Sequence, residues 1–153
     1  MSTKEFSETT SASILEHLPY EKPFLFVDAL EKISEEGISG YYTFPADSFF
    51  YRGHFKDLPV TPGVILTECM AQIGLVCLGI YLLKNDISKG MQIALTKTDI
   101  DFYLPVLPGE KVKVDSEKVY FRFGKLKCKV KMKNSEGKLV CKGEISGMMK
   151  QHE

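Results

Sequence analysis

The chain has 153 residues, 44% apolar and 26% charged, with 20 basic and 20 acidic side chains. That length suits one domain able to bury a core, and this balance excludes an intrinsically disordered chain and argues against a nucleic-acid partner. The charges are nevertheless segregated: residues 1–50 carry three basic and nine acidic groups, and residues 109–133 carry nine basic and three acidic.

Taken from the N-terminus, residues 1–12 read as a disordered tail, polar and without the apolar stretch of a secretory signal. Ser13-Ile14-Leu15-Glu16 fits a capping box that opens a short helix ended by Pro19. A single domain is expected over residues 13–150. Pro23 to Ile33 and Gly40 to Phe44 are aromatic and β-branched and predict strands joined through a charged turn at Gly37. Pro45 to Thr61 reads as loop, and Pro62 suits the first position of a helix, where its missing N–H costs nothing.

Gly63 to Leu83 is an apolar run of 21 residues with one charge, Glu68. Its length would allow a membrane span. Pro62 in front, the Lys-rich strands behind and Gln72 on the same helical face as Glu68 favour a helix wrapped in a core. After it the period changes to two. Met91 to Phe102 and Lys111 to Phe121 predict strands. From Lys125 to Lys133, Leu126, Cys128, Val130 and Met132 alternate with five lysines, one face for the core and one for water. Asn134 to Gly137 turns the chain into a last strand, Lys138 to Met149. The sum is an α+β arrangement, one long helix against an antiparallel sheet of five or six strands. Cys69, Cys77, Cys128 and Cys141 form no CxxC pair and no zinc spacing with histidine. Reduced thiols in the cytoplasm are expected, with no metal and no cofactor.

Phe49 to Gln72 holds the chemistry. His54 sits in a Gly-His-Phe turn ahead of the helix, a turn residue or a general base. Glu68 lies in the second turn of the helix among apolar residues, where desolvation raises a carboxyl pKa and makes a proton donor; a satisfied structural carboxylate fits the same position. The Gly63 N–H is an unpaired donor at the positive end of the helix, able to hold a carbonyl oxygen that becomes an enolate. Gln72 is a support for Glu68 or simply core. Base, acid and oxyanion donor are the three parts needed to remove water from a 3-hydroxyacyl compound.

Three segments carry a resemblance: LPYEKPFLFVD (18–28), GHFKDLPVTPGVILTECMAQ (53–72) and FYLPVLPGE (102–110). In order and separation they resemble the 3-hydroxyacyl-[acyl-carrier-protein] dehydratases of FabZ type, over residues 14 to 149. The resemblance implies the hotdog fold, a curved antiparallel sheet around one long helix. It also implies reversible dehydration of a carrier-bound 3-hydroxyacyl thioester to the trans-2-enoyl thioester, in fatty-acid or specialised lipid synthesis. By the same resemblance His54 is the base, Glu68 the acid, Gly63 the thioester donor and Gln72 the support of Glu68, with Phe55, Val64 and Phe102 as substrate contacts. The implied partners are an acyl carrier protein and a second copy of the chain, His54 from one subunit meeting Glu68 of the other, with hexamers built from dimers. Arg52 and Lys56 flank the site as candidate carrier contacts. The chain departs from the family's usual residues at Tyr20, Glu21, Ala29, Lys56, Asp57, Thr61 and Tyr103, positions that bear on the acyl chain and carrier accepted. The alternatives are a hotdog thioesterase and a non-catalytic acyl-binding subunit.

Overall fold

The computed structural model describes residues 8–83 and 92–150. Helix α1 (Glu8–Glu16) is followed by strands β1 (Ala29–Ser34) and β2 (Gly37–Thr43) and a 3₁₀ turn at Phe49–Arg52. The long helix α2 (Gly63–Leu83) comes next, then β3 (Gln92–Phe102), β4 (Lys111–Arg122), β5 (Lys125–Asn134) and β6 (Leu139–Lys150). The six strands form one antiparallel sheet in the order β1-β2-β4-β5-β6-β3.

The alternation on β5 does what its sequence predicts, burying Leu126, Cys128, Val130 and Met132 while the lysines between them face outward. Phe123 and Gly124, both at positive φ, turn β4 into β5 as a two-residue hairpin. The Asn134 side-chain oxygen accepts from the N–H groups of Glu136 and Lys138 to turn β5 into β6.

The sheet wraps α2, and 78% of the helix's most apolar window is buried inside the fold. This is the core helix expected, not a lipid-facing one. At its middle, Gln72–Val76 is a π turn in which the Cys77 N–H reaches the carbonyl of Gln72. Such one-turn insertions concentrate at functional sites. Gly74 lets the turn press onto the sheet: a Cβ there would stand 3.0 Å from both Ser116 Cβ and Val130 Cγ1. The Ser116 hydroxyl donates to the Gly74 carbonyl at 2.8 Å.

Three local expectations are corrected. Residues 8–12 are helical rather than part of a tail, and Ser13–Glu16 closes α1 instead of opening it. Tertiary docking overrides a polar, cap-rich sequence here: Ile14 is buried and Leu15 and Leu18 pack on the core. Pro23 to Asp28 lies outside the strands: the Phe24 N–H turns back to the Glu21 carbonyl, the Phe24 carbonyl and the Phe26 N–H bond Gln72 of α2, and the chain meets β2 at Asp28, whose N–H donates to the Tyr41 carbonyl. Pro62 is the N-cap of α2, not its first residue. Residues 1–7 and Met91 lie outside the described residues.

β3 is eleven residues long and, among the described residues, pairs only with β6. Every β3 side chain except Ile93 and Ile100 is exposed, which leaves a long bare edge with both faces open to solvent.

Candidate active site

The loop before α2 is a sequence of short hydrogen-bonded turns. The Ser48 N–H and hydroxyl both donate to the Pro45 carbonyl, at 3.0 and 2.7 Å. The His54 N–H then donates to Phe50 at the end of the 3₁₀ turn. His54 and Val60 pair reciprocally: the Val60 N–H donates to the His54 carbonyl at 2.9 Å, and His54 Nδ1 lies 2.9 Å from the Val60 carbonyl. A carbonyl can only accept, so Nδ1 carries the proton and Nε2 is left with its lone pair. The half-buried imidazole is thereby fixed in the tautomer of a base. Its ring stacks on Phe55, 3.9 Å between centroids, across a cis peptide bond.

α2 begins at Gly63, and neither the Gly63 nor the Val64 N–H has an acceptor among the described residues. These donors sit at the positive end of the helix. A Cβ on Gly63 would lie 3.3 Å from the ring of Phe102, so glycine lets that ring lie over the helix start.

Glu68 is one turn further on and half-buried. Gln72, four residues later on the same face, donates Nε2–H to Glu68 Oε2 at 3.0 Å. The orientation of that amide is not free. Its Oε1 accepts the Phe26 N–H at 2.7 Å and its Nε2 also donates to the Phe24 carbonyl at 3.1 Å. Fully buried and fully bonded, Gln72 must present N–H to the carboxyl. Burial raises the Glu68 pKa above the ordinary carboxylate value, and the Gln72 bond only partly opposes it. Oε1 of Glu68 has no partner among the described residues. Nearby, burial first and the Glu68 charge second push the Tyr20 phenol up to about 12.

The sequence-predicted residues thus fall into two groups. Glu68 and Gln72 form one bonded unit, and His54, Phe55 and Gly63 line the turn and the helix start, with Phe102 over Gly63. No hydrogen bond joins His54 to Glu68 within the chain. Val64 is 77% exposed and Phe102 49%; Phe55, Leu58, Tyr103 and Leu107, from the loop before α2 and the segment after β3, are exposed as well, an apron of apolar side chains. Arg52 and Lys56 are exposed beside it. Two contributors escaped the sequence reading: the backbone of Phe24 and Phe26, and the buried pair Tyr51 and Thr61, whose hydroxyls lie 2.6 Å apart. Nothing local in the sequence signals either contact. Leu66, Met70, Ile73 and Val76 are core, as are all four cysteines, which are free thiols.

The family model of the FabA-like domain matches residues 18–147. The chain is 36% identical over 137 residues to the 3-hydroxyacyl-[acyl-carrier-protein] dehydratase FabZ of Clostridium perfringens strain SM101, covering 86% of this chain and 92% of that one. To the protein of the same name from Listeria welshimeri it is 34% identical over 134 residues, covering 86% and 90%. Among solved structures, the dehydratase heterocomplex ApeI:P from Xenorhabdus doucetiae superposes with a TM-score of 0.76 at 13% identity, over 90% of this chain and 91% of that one. A hypothetical thioesterase with coenzyme A from Streptococcus pneumoniae gives 0.56 at 14%, over 80% and 85%. The structural likenesses establish the hotdog fold. The sequence matches go further: the chain belongs to the FabA-like domain family and, within it, to the FabZ-type 3-hydroxyacyl-[acyl-carrier-protein] dehydratases.

Proposed function

We propose that His54, Glu68, Gly63 and Gln72 carry the dehydration in this chain. Nε2 of His54 takes a proton from the α-carbon of the 3-hydroxyacyl thioester, and the electron pair moves onto the thioester oxygen, held by the Gly63 N–H. As the pair returns to form the α,β double bond, the β-carbon–oxygen bond breaks and Glu68 delivers its proton to the departing hydroxyl, releasing water. His54 ends protonated and Glu68 ionised; exchange with solvent resets both. Gln72 holds Glu68 in place. Phe55, Val64 and Phe102 contact the acyl thioester. The single observation that carries this reading is the Glu68–Gln72 unit: a half-buried carboxyl, held by one oxygen, with a raised pKa and its second oxygen without a partner among the described residues.

The test follows the enoyl-thioester absorbance with a short 3-hydroxyacyl thioester and separately with its trans-2-enoyl partner. Interconversion from both sides is the expected result. Release of free thiol without an enoyl signal would instead identify a thioesterase.

The carrier-bound substrate is supported by the named activity of the relatives, and Arg52 and Lys56 beside the apron are the proposed carrier contacts. The buried free thiols suit the cytoplasm. The working unit in this reading is a homodimer, because β3 is a sheet edge with no second partner strand among the described residues and a second copy of it can pair there. On a two-fold axis through antiparallel β3 strands, centring on Lys97 or on Asp99 sets like charges face to face. Centring on Thr98 sets each Lys97 opposite the partner's Asp99. Lys97→Glu is therefore expected to weaken the dimer about tenfold, and adding Asp99→Lys to restore it. Sedimentation velocity reads both, and an unchanged dimer in Lys97→Glu rejects this register.

A further inference from the structure

We propose that the Tyr51 and Thr61 hydroxyls form a clasp that sets the distance from the His54 base to the donors at the start of α2. The inference rests on the reading of His54 as base.

Between these two residues the chain makes an excursion with little anchorage of its own. Arg52, Gly53, Phe55, Lys56, Asp57, Leu58 and Pro59 are all exposed. The reciprocal His54–Val60 pair closes the loop on itself. It fixes the tautomer of the imidazole and moves wherever the loop moves, so it cannot fix the ring relative to α2. At the neck the situation reverses. Tyr51 is 7% exposed and Thr61 4%, and their hydroxyls meet at 2.6 Å. The Thr61 N–H also donates to the Val106 carbonyl at 2.9 Å, which ties the same point to the segment beyond Phe102. Tyr51 precedes His54 by three residues and Thr61 precedes Gly63 by two. One hydrogen bond therefore spans the two places from which base and oxyanion donor depart.

Apolar packing at this neck would tolerate sliding. A hydrogen bond between buried hydroxyls is directional, so it fixes the separation of the two residues that packing alone would let slide. A reacting pair displaced by about 1 Å loses on the order of 10²-fold in rate. Tyr51 and Thr61 are buried and bonded to each other, and in this proposal they act through the loop they hold, as positioning residues.

Thr61→Val keeps the shape and removes the hydroxyl. It is expected to lower kcat by roughly 10- to 100-fold on a short 3-hydroxyacyl thioester while KM changes less than about twofold. Thr61→Ser keeps the hydroxyl and recovers most of the loss. Tyr51→Phe matches Thr61→Val, and the double variant is no worse than either, since all three break one bond. The ¹⁵N shifts of His54 still report protonation at Nδ1, because the Val60 pair lies inside the loop. Thr61→Val with kcat within twofold of the parent overturns the proposal, as does a multiplicative loss in the double variant or a switch of tautomer. If Thr61→Val does not fold, Tyr51→Phe against the parent decides by the same criteria. His54→Ala separates the two readings: if it keeps full activity the base assignment has failed, whereas if it is inactive and Thr61→Val is normal only the clasp has.

Discussion

Replacing Glu68 by glutamine lowers turnover by roughly 10²- to 10⁴-fold and leaves the protein folded. Glutamine has the same shape and still accepts the Nε2–H of Gln72, so the packing around residue 68 survives. What disappears is the proton that leaves with the hydroxyl. Thioester binding persists, since the Gly63 donor and the apolar apron are untouched, and the loss appears in kcat with little change in KM. A drop of less than tenfold would remove Glu68 from its role. The substitution also reports on the pKa. Below the ordinary carboxylate range both folded and unfolded chains hold this proton, and Glu68 contributes nothing to pH-dependent stability. As pH rises the unfolded chain ionises first, while burial keeps the folded carboxyl protonated, so stability falls until the folded group ionises as well. Above that point the cost is constant. Glu68→Gln lacks this cost, so its thermal midpoint gains on the parent as pH rises from about 4, the ordinary carboxylate value, through the raised folded one. A gap that stays flat across that range would mean the carboxyl is not raised.

His54→Ala removes the base and lowers kcat by a similar factor, roughly 10²- to 10⁴-fold. The informative experiment combines it with Glu68→Gln. In a dimer whose sites each take His54 from one subunit and Glu68 from the other, a mixed dimer has one site with both residues intact and one with neither. Random exchange of equal amounts makes about half of the dimers mixed, so about a quarter of the parental sites return. Two inactive proteins thus become active on mixing. Exchange verified by mass with no recovered activity would place both residues of a site in one chain and contradict the shared arrangement.

Much of this was legible in the sequence because the relevant contacts are local. Glu68 and Gln72 are four apart on a helix, so their bond follows from helical geometry alone. The β5 alternation fixes which face is buried for the same reason. What the sequence did not disclose is non-local. The use of Gln72 as a bonding partner by the backbone of Phe24 and Phe26 spans more than forty residues, and it keeps most of an aromatic run with good strand propensity out of the sheet until Asp28. The Tyr51–Thr61 contact crosses a loop whose path no periodicity describes. The N-terminal helix was hidden because Ser and Thr suit caps and coils, and only docking of Ile14 on the core makes residues 8–16 helical.

The π turn in α2 divides the labour of one helix between two. An inserted residue shifts the faces that follow by about a quarter turn, and the shift begins at Gln72, whose amide is held at both ends by the Phe24–Phe26 backbone. Upstream, the face that presents Glu68 is pinned by those bonds. Beyond the turn, Cys77, Leu78 and Ile80 are buried in the same core, on faces that the inserted residue has rotated away from the one carrying the acid. A scaffold arranged this way can vary its interior while the chemistry at its entrance stays in register.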